Sequence, residues 1–160
     1  MDRICLGGRE AKGDDMSAFE IKRLSIEDLD MVLNVSEGLF DNPIDPLQAR
    51  DFLTDPLHEL LLAYDGNEAV GMVSASVLLH PDKMPSLFIN EVGTRDGWTR
   101  RGIATALVQR MIEIGRERGC KGVWLGTEED NTPARALYKS LGADEVKGVY
   151  YGWDGALDEE

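Results

Sequence analysis

Two apolar runs, ELLLAY at 59–64 and AVGMVSASVLL at 69–79, flank the dipeptide Asp65-Gly66. This juxtaposition constrains the fold more than any other feature of the chain. Asp-Gly between strand-like runs is a strong hairpin signal, because the central positions of a tight hairpin turn favour residues that accept positive φ. After a second turn, HPDKMPS at 80–86, the run LFINEVG at 87–93 supplies a further strand. The middle of the chain therefore predicts consecutive antiparallel strands. No run approaches the roughly 20 apolar residues that a membrane-spanning helix needs.

Patterned sequence begins at Met16, and residues 1–15 carry no periodicity and read as a disordered leader or an upstream start. Phe19, Ile21 and Leu24 predict a short first strand. Ser25, with Asp28 three residues on, marks a helix start before Leu29, Val32 and Leu33. LFDNPIDP at 39–46 has the Asn-Pro and Asp-Pro pairs of a loop, and 47–54 reads as a short helix. Ile103, Leu107 and Met111 form one apolar row, flanked by Ala104, Val108 and Ile112, and Gly119 stops that helix. GVWLGT at 122–127 is the next strand. Thr132 is placed to cap a helix with Pro133 at its first position; Ala134, Leu137, Tyr138 and Leu141 form its buried face, and Gly142 ends it. The alternating EVKGVYYGW at 145–153 predicts a terminal strand, with an acidic tail at 154–160. The order is that of one α/β (α+β) domain over 16–153, with a single β-helix-β crossover in its second half.

Charge narrows the function classes. The 160 residues include 17 basic and 30 acidic side chains, a net charge of −13, and the body at 16–153 holds 22 acids against 14 bases. A nucleic-acid binder needs a basic footprint, which is missing. An acidic field suits a cationic substrate or serves solubility alone. With no apolar core of a secretory signal in 1–15 and no spanning run, the default location is the cytoplasm. Cys5 and Cys120 make no disulfide framework, and His58 and His80 stand far from both and from each other, so no metal site is expected.

The stretch TRRGIATALVQ at 99–109 gathers two arginines and a glycine at the mouth of a helix. Unpaired N–H groups and a positive dipole end there favour anion capture; a charged loop before a surface helix is the bland alternative. The sequence downstream adds a family likeness. NEVGT…WTRRGIATALVQRMIEIGRERGCKGVWLGTEEDNTPARALYKSLGA resembles the core of the GNAT superfamily of acyl-CoA-dependent N-acetyltransferases. The resemblance spans 18–153 in element order and 90–143 in motif. That family's pyrophosphate loop reads Arg/Gln-x-x-Gly-x-Gly/Ala; here it is Thr99-Arg100-Arg101-Gly102-Ile103-Ala104, with Thr99 out of pattern. A second motif, Asn-x-x-Ala-x-x-x-Tyr before a leucine-glycine stop, is met by Asn131, Ala134, Tyr138, Leu141 and Gly142. Competing phosphate loops, Gly-Lys-Ser/Thr or Gly-x-Gly-x-x-Gly after a strand, do not occur.

The resemblance implies a GNAT-like fold, a mixed and mostly antiparallel central sheet flanked by about four helices, with acetyl-CoA as co-substrate. It implies that N–H groups from Arg101, Gly102, Ile103, Ala104 and Thr105 ring the pyrophosphate, with Arg100 and Arg101 adding charge and Gly102 allowing close approach. The strand 88–93 carries a bulge and diverges from 122–127, and Val92 and Gly93 lend N–H groups to the pantetheine arm or the thioester oxygen. Gly93 as a plain strand end is the other reading. Asn131 hydrogen-bonds the cofactor arm, or is only a turn residue. Glu91 is the candidate base, with partial burial raising its pKa, or else a solvated or substrate-holding charge. Tyr138 is the candidate acid toward the coenzyme A sulfur, although its position on a buried face also suits a packing role. Transfer is by direct attack in a ternary complex; a route through Cys120 lacks a neighbouring histidine.

Asp41, Asp45 and Glu91 are the candidate acceptor-binding residues, accompanied by Asp82 and by Asp154, Asp158, Glu159 and Glu160 of the tail. LF…D…FLTDPLHELLLA and the glutamate strand resemble, more loosely, aminoglycoside 3-N-acetyltransferases of the GNAT type, implying a polycationic acceptor. Protein N-termini, lysines and small amines are alternative acceptors, and a catalytically idle acyl-CoA-binding module is the alternative function. The family often forms homodimers.

Overall fold

The Asp65-Gly66 hairpin lies at the centre of a five-stranded sheet in the computed structural model, which describes residues 19–153 and 155. The expected leader at 1–15, Cys5, and the acidic tail apart from Gly155 lie outside the described residues. The chain divides into two compact units, Met1–Leu125 and Gly126–Glu160, with the boundary inside the stretch that the sequence presents as one domain.

In the first unit β1 (Glu20–Arg23), β2 (His58–Asp65), β3 (Glu68–Leu78), β4 (Ser86–Thr94) and β5 (Gly122–Trp124) follow in spatial order. The first three pairings are antiparallel, and β4 with β5 is parallel. A parallel pair needs a crossover, and α3 (Ile103–Glu117) supplies it. The hairpin closes with Asp65 opposite Glu68 and Gly66 at φ 58°. β5 stops three residues short of the expected strand, because its ladder ends where Trp124 faces Phe88.

α3 covers one face of the sheet. Ile103, Leu107, Met111 and Ile114, spaced three and four apart, are all at most 2% exposed. Each such burial stabilises by about 1.5–3 kcal/mol. Two glycines let the helix lie close: a Cβ on Gly71 would sit 2.5 Å from Ile103 Cγ2, and one on Gly115 would sit 3.1 Å from Val123 Cγ2. At the far end of α3, Arg118 and Arg23 both hold the buried carboxylate of Glu59, at 2.8 Å for Arg118 and at 2.7 and 2.8 Å for the two bonds from Arg23.

The opposite face buries Leu60, Leu62, Ala69 and Met72 against Leu24, Val32 and Leu39. Its cover is α1 (Leu29–Leu33), α2 (Pro46–Thr54) and their connection. The helix start at Ser25 is a 3-10 turn over Ile26–Asp28 before α1, with the Ser25 N–H donating to Asp28 Oδ2 at 2.9 Å. Asp45 caps α2, accepting from the Leu47 and Gln48 N–H groups at 2.8 and 3.0 Å, with Pro46 in its first turn.

In the second unit α4 (Thr132–Ser140) is capped by Asn131, not by Thr132 as the sequence suggested. The Asn131 side chain accepts from the Ala134 N–H at 3.3 Å and donates to Thr127 Oγ1 at 3.1 Å. Ala134, Leu137, Tyr138 and Leu141 are half-buried, the face that the spacing predicts. The terminal strand expected at 145–153 is not present; these residues carry no strand and are exposed. Alternation makes a strand only where a partner edge takes its N–H and C=O groups. Here Glu145 is instead drawn to α4, bonded by both Arg135 Nε and Nη2 at 2.9 Å and paired with Lys139 at 3.1 Å. Among the described residues no helix is long and apolar enough to cross a membrane.

Candidate active site

A single extra residue in β4 determines where Glu91 points. Leu87 and Ile89 are buried on the α3 face, Leu87 lying beside Gly115 of α3 and Ile89 opposite Ala75. Uninterrupted alternation would put Glu91 on that face too. The register instead slips between Ser74 and Ala75, so that Asn90 is the unpaired residue of a bulge and Glu91 comes opposite Ser74. Asn90 turns outward to Ser76, its Nδ2 donating to Oγ at 2.9 Å. Glu91 thereby joins the opposite face, where Gly93 pairs with Met72. The bulge implied by the resemblance is thus found. The partial burial expected of Glu91 is not, because β5 pairs only with Ser86–Phe88 and leaves the rest of β4 without that cover.

Glu91 lines a cavity of about 300 Å³ together with Ser74, and with Val32 and Leu60. The connection between α1 and α2 contributes Phe40, Asp41, Asn42, Pro43, Ile44 and Asp45; α2 contributes Gln48, Ala49, Phe52 and Leu53. The structure therefore brings Asp41, Asp45 and Glu91 around one space, as the sequence proposed, and leaves Asp82 out of it. Phe40, Ile44, Phe52 and Leu53 were missed. The signal for the first two was available: apolar side chains inside an otherwise polar, proline-punctuated loop. Phe52 is stacked on His58 with ring centroids 4.7 Å apart.

Arg95 holds the connection in place. Its guanidinium donates to the Glu37 and Ser36 carbonyls at 2.6 and 2.9 Å and to the Ala69 carbonyl at 3.1 Å. The side chain is only 13% exposed and also lies 3.6 Å from Glu68.

The loop between β4 and α3 is built on left-handed residues: Gly97 at φ 88°, Arg100 at 62° and Gly102 at 79°. Gly102 is the N-cap of α3 and offers no side chain to the first turn, whose N–H groups have no partner further back in the helix. Left-handed residues on either side of Arg101 form the kind of backbone concavity that receives anions. A Cβ on Gly102 would meet nothing within 4 Å, so the space in front of the helix start is open. Arg101 lies over the Trp98 ring at 5.7 Å, and Trp98 Nε1 donates to Asp65 at 3.0 Å. Ile103 is 2% exposed, so only its backbone faces the loop, while Thr99 and Arg100 are exposed. These features fit a phosphate-bearing ligand.

In the second unit, burial pushes the Tyr138 phenol above its usual pKa, so it holds its proton at neutral pH. Cys120, in the first unit, is likewise pushed up by burial, with Arg118 opposing, which keeps it a thiol. No group of three or more His, Cys, Asp or Glu able to hold a metal is present among the described residues.

A family model described as the acetyltransferase (GNAT) family matches residues 25–143. Mycothiol acetyltransferase of Corynebacterium glutamicum (strain R) is 33% identical over 95 residues, 59% of this chain and 30% of that protein. N-alpha-acetyltransferase 30 of Mus musculus is 27% identical over 152 residues, 94% of this chain and 42% of that protein. The chain thus spans less than half the length of either relative. Aminoglycoside 6′-acetyltransferases occur among both the curated relatives and the structural neighbours. The solved aminoglycoside N-acetyltransferase AAC(6′)-Iy in complex with CoA superposes with a TM-score of 0.72 at 19% identity, over 86% of this chain and 95% of that one. At that identity the likeness is one of fold.

Proposed function

The chain belongs to the GNAT acetyltransferase family, and from that premise we propose that it moves an acetyl group from acetyl-CoA to the primary amine of a cationic acceptor, by direct attack in a ternary complex. The observation that carries this is the start of α3, an uncapped, glycine-headed helix behind a loop of left-handed residues. Backbone N–H groups from Arg101 to Thr105, with the charges of Arg100 and Arg101, hold the pyrophosphate. Val92 and Gly93 serve the pantetheine arm or the thioester oxygen. The family resemblance nominates Asn131 for the arm; within its own unit it caps α4. Acetyl-CoA supplies the acetyl group as a thioester.

Glu91 takes a proton from the acceptor ammonium, leaving the neutral amine to attack. As the N–C bond forms and the C–S bond breaks, the departing sulfur takes up a proton, and the family resemblance nominates Tyr138 as its source. A raised phenol pKa suits Tyr138 to carry that proton at neutral pH. A covalent route through Cys120 is disfavoured by its raised pKa.

Two acceptor classes have specific support. Three carboxylates around one cavity, and aminoglycoside acetyltransferases among the relatives, favour an aminoglycoside. The N-alpha-acetyltransferases among the relatives favour an α-amine, and the carbon-rich wall of the same cavity favours an apolar group beside it. Calorimetry with acetyl-CoA tests the cofactor site: the native chain binds, and Gly102→Val, which forces a β-branched residue to φ 79°, binds about tenfold or more weakly. A native chain that does not bind acetyl-CoA removes the proposal.

A further inference from the structure

We propose that the cavity selects an acceptor with one primary amine on a short tether from an apolar group. This rests on the acetyltransferase reading and narrows it. The three carboxylates are not equivalent. Asp45 is already committed to the start of α2, accepting two backbone N–H groups. Glu91 is turned toward the cavity by the bulge and stands beside the small Ser74. That leaves Glu91, with Asp41 of the loop, to meet an ammonium.

The rest of the wall asks for carbon. Phe40, Ile44, Phe52 and Leu53 are half-buried and face the same space as Glu91. An aminoglycoside ring carries a hydroxyl or amine on most of its carbons, and each one pressed against such a wall loses water without gaining a partner. An alkyl or aryl arm has no such groups to strand. The volume, about 300 Å³, is at the lower end for small-molecule sites and takes one ring and a short chain. Phe52 is held against His58, so its ring is in place before an acceptor arrives. A free arylalkylamine and the N-terminus of a peptide with an apolar first side chain share this chemistry.

The test measures kcat/KM by thiol release from saturating acetyl-CoA. The acceptors are ethylamine, butylamine, phenethylamine, a peptide beginning Phe-Gly-Gly, spermidine and neamine. Each acceptor is also titrated calorimetrically in the presence of CoA. The expected result is a rise of about tenfold or more from ethylamine to phenethylamine, with spermidine and neamine below phenethylamine. The ratio of phenethylamine to peptide tells which source of the amine is preferred. Ile44→Asp is expected to lower the phenethylamine value about tenfold. A flat amine series, or neamine or spermidine as the best acceptor, overturns the proposal. If no amine is turned over, the acetyltransferase reading fails, and calorimetry decides the cavity separately: affinity rising with the apolar arm supports it, and uniform absence of binding overturns it.

Discussion

At the scale of single residues, Glu91 and Glu59 are carboxylates with opposite situations. Glu59 is 4% exposed and held by Arg23 and Arg118. Glu59→Ala leaves two guanidinium groups facing a hole, and is expected to cost about 2–3 kcal/mol, less than a fully buried network because both arginines reach solvent. Urea denaturation checks it, and an unchanged midpoint contradicts it. Glu91 is exposed and lines the cavity, and its proposed role is chemical. Glu91→Gln removes the acceptor for the ammonium proton, so the rate depends on amine that is already neutral. The deficit against the native protein is therefore expected to be about a hundredfold near neutral pH and to shrink as pH rises toward the amine pKa; a deficit constant with pH rules out the base. The sequence placed Glu91 correctly in β4. What it could not show was the direction of the side chain, which depends on one unpaired residue, Asn90.

At the scale of elements, regular pieces were legible and irregular ones were not. The hairpin and α3 could be read because Asp65-Gly66 and the row Ile103–Leu107–Met111 each impose a period or a turn. The stretch at 39–46 reads as a loop and is one up to Asp45, with Pro46 opening α2; its apolar Phe40 and Ile44 stand out in the sequence, but nothing local says that they meet Glu91 across a cavity. Arg95 holds the stretch just before it, at Glu37 and Ser36, from 58 and 59 residues away, so its role is long-range. Arg95→Ala is expected to raise KM for the amine about tenfold, with a smaller change in kcat, because the wall moves while the chemistry stays. An equal fall in kcat alone contradicts this. The terminal strand was not legible for a related reason: EVKGVYYGW has the period, but among the described residues no strand edge pairs with it, and the structure instead pairs α4 with Glu145. Arg135 first, then Lys139, pull its pKa from 4.5 to about 2. A depressed carboxylate stabilises above its unfolded value of 4.5 and loses that contribution as pH falls toward 2. A carboxyl NMR titration is expected to find the Glu145 midpoint near 2; a midpoint at 4.5 would mean the latch to α4 is not formed.

At the scale of the whole molecule, a net charge of −13 accompanies a helix start proposed to take an anion. The local arrangement must therefore outweigh the global field: the N–H groups, the helix dipole and two arginines act within a few ångströms, whereas distant carboxylates are screened by salt. The same field would favour the approach of the cationic acceptor proposed above. The family was legible because two motifs thirty residues apart occur in order, and Thr99, the residue out of pattern, leaves the backbone cradle intact. The acceptor was less legible, because the cavity proposed for it is assembled from β2, β3, β4, α1, α2 and the connection between the two helices. The most direct measurement incubates the purified chain with acetyl-CoA and an amine panel, following thiol release and the acetylated product together by mass spectrometry. The expected result is amine-dependent release with one acetylated amine formed per thiol. Acetyl-CoA binding without amine-dependent release would contradict it and leave a module that binds the cofactor and does no chemistry.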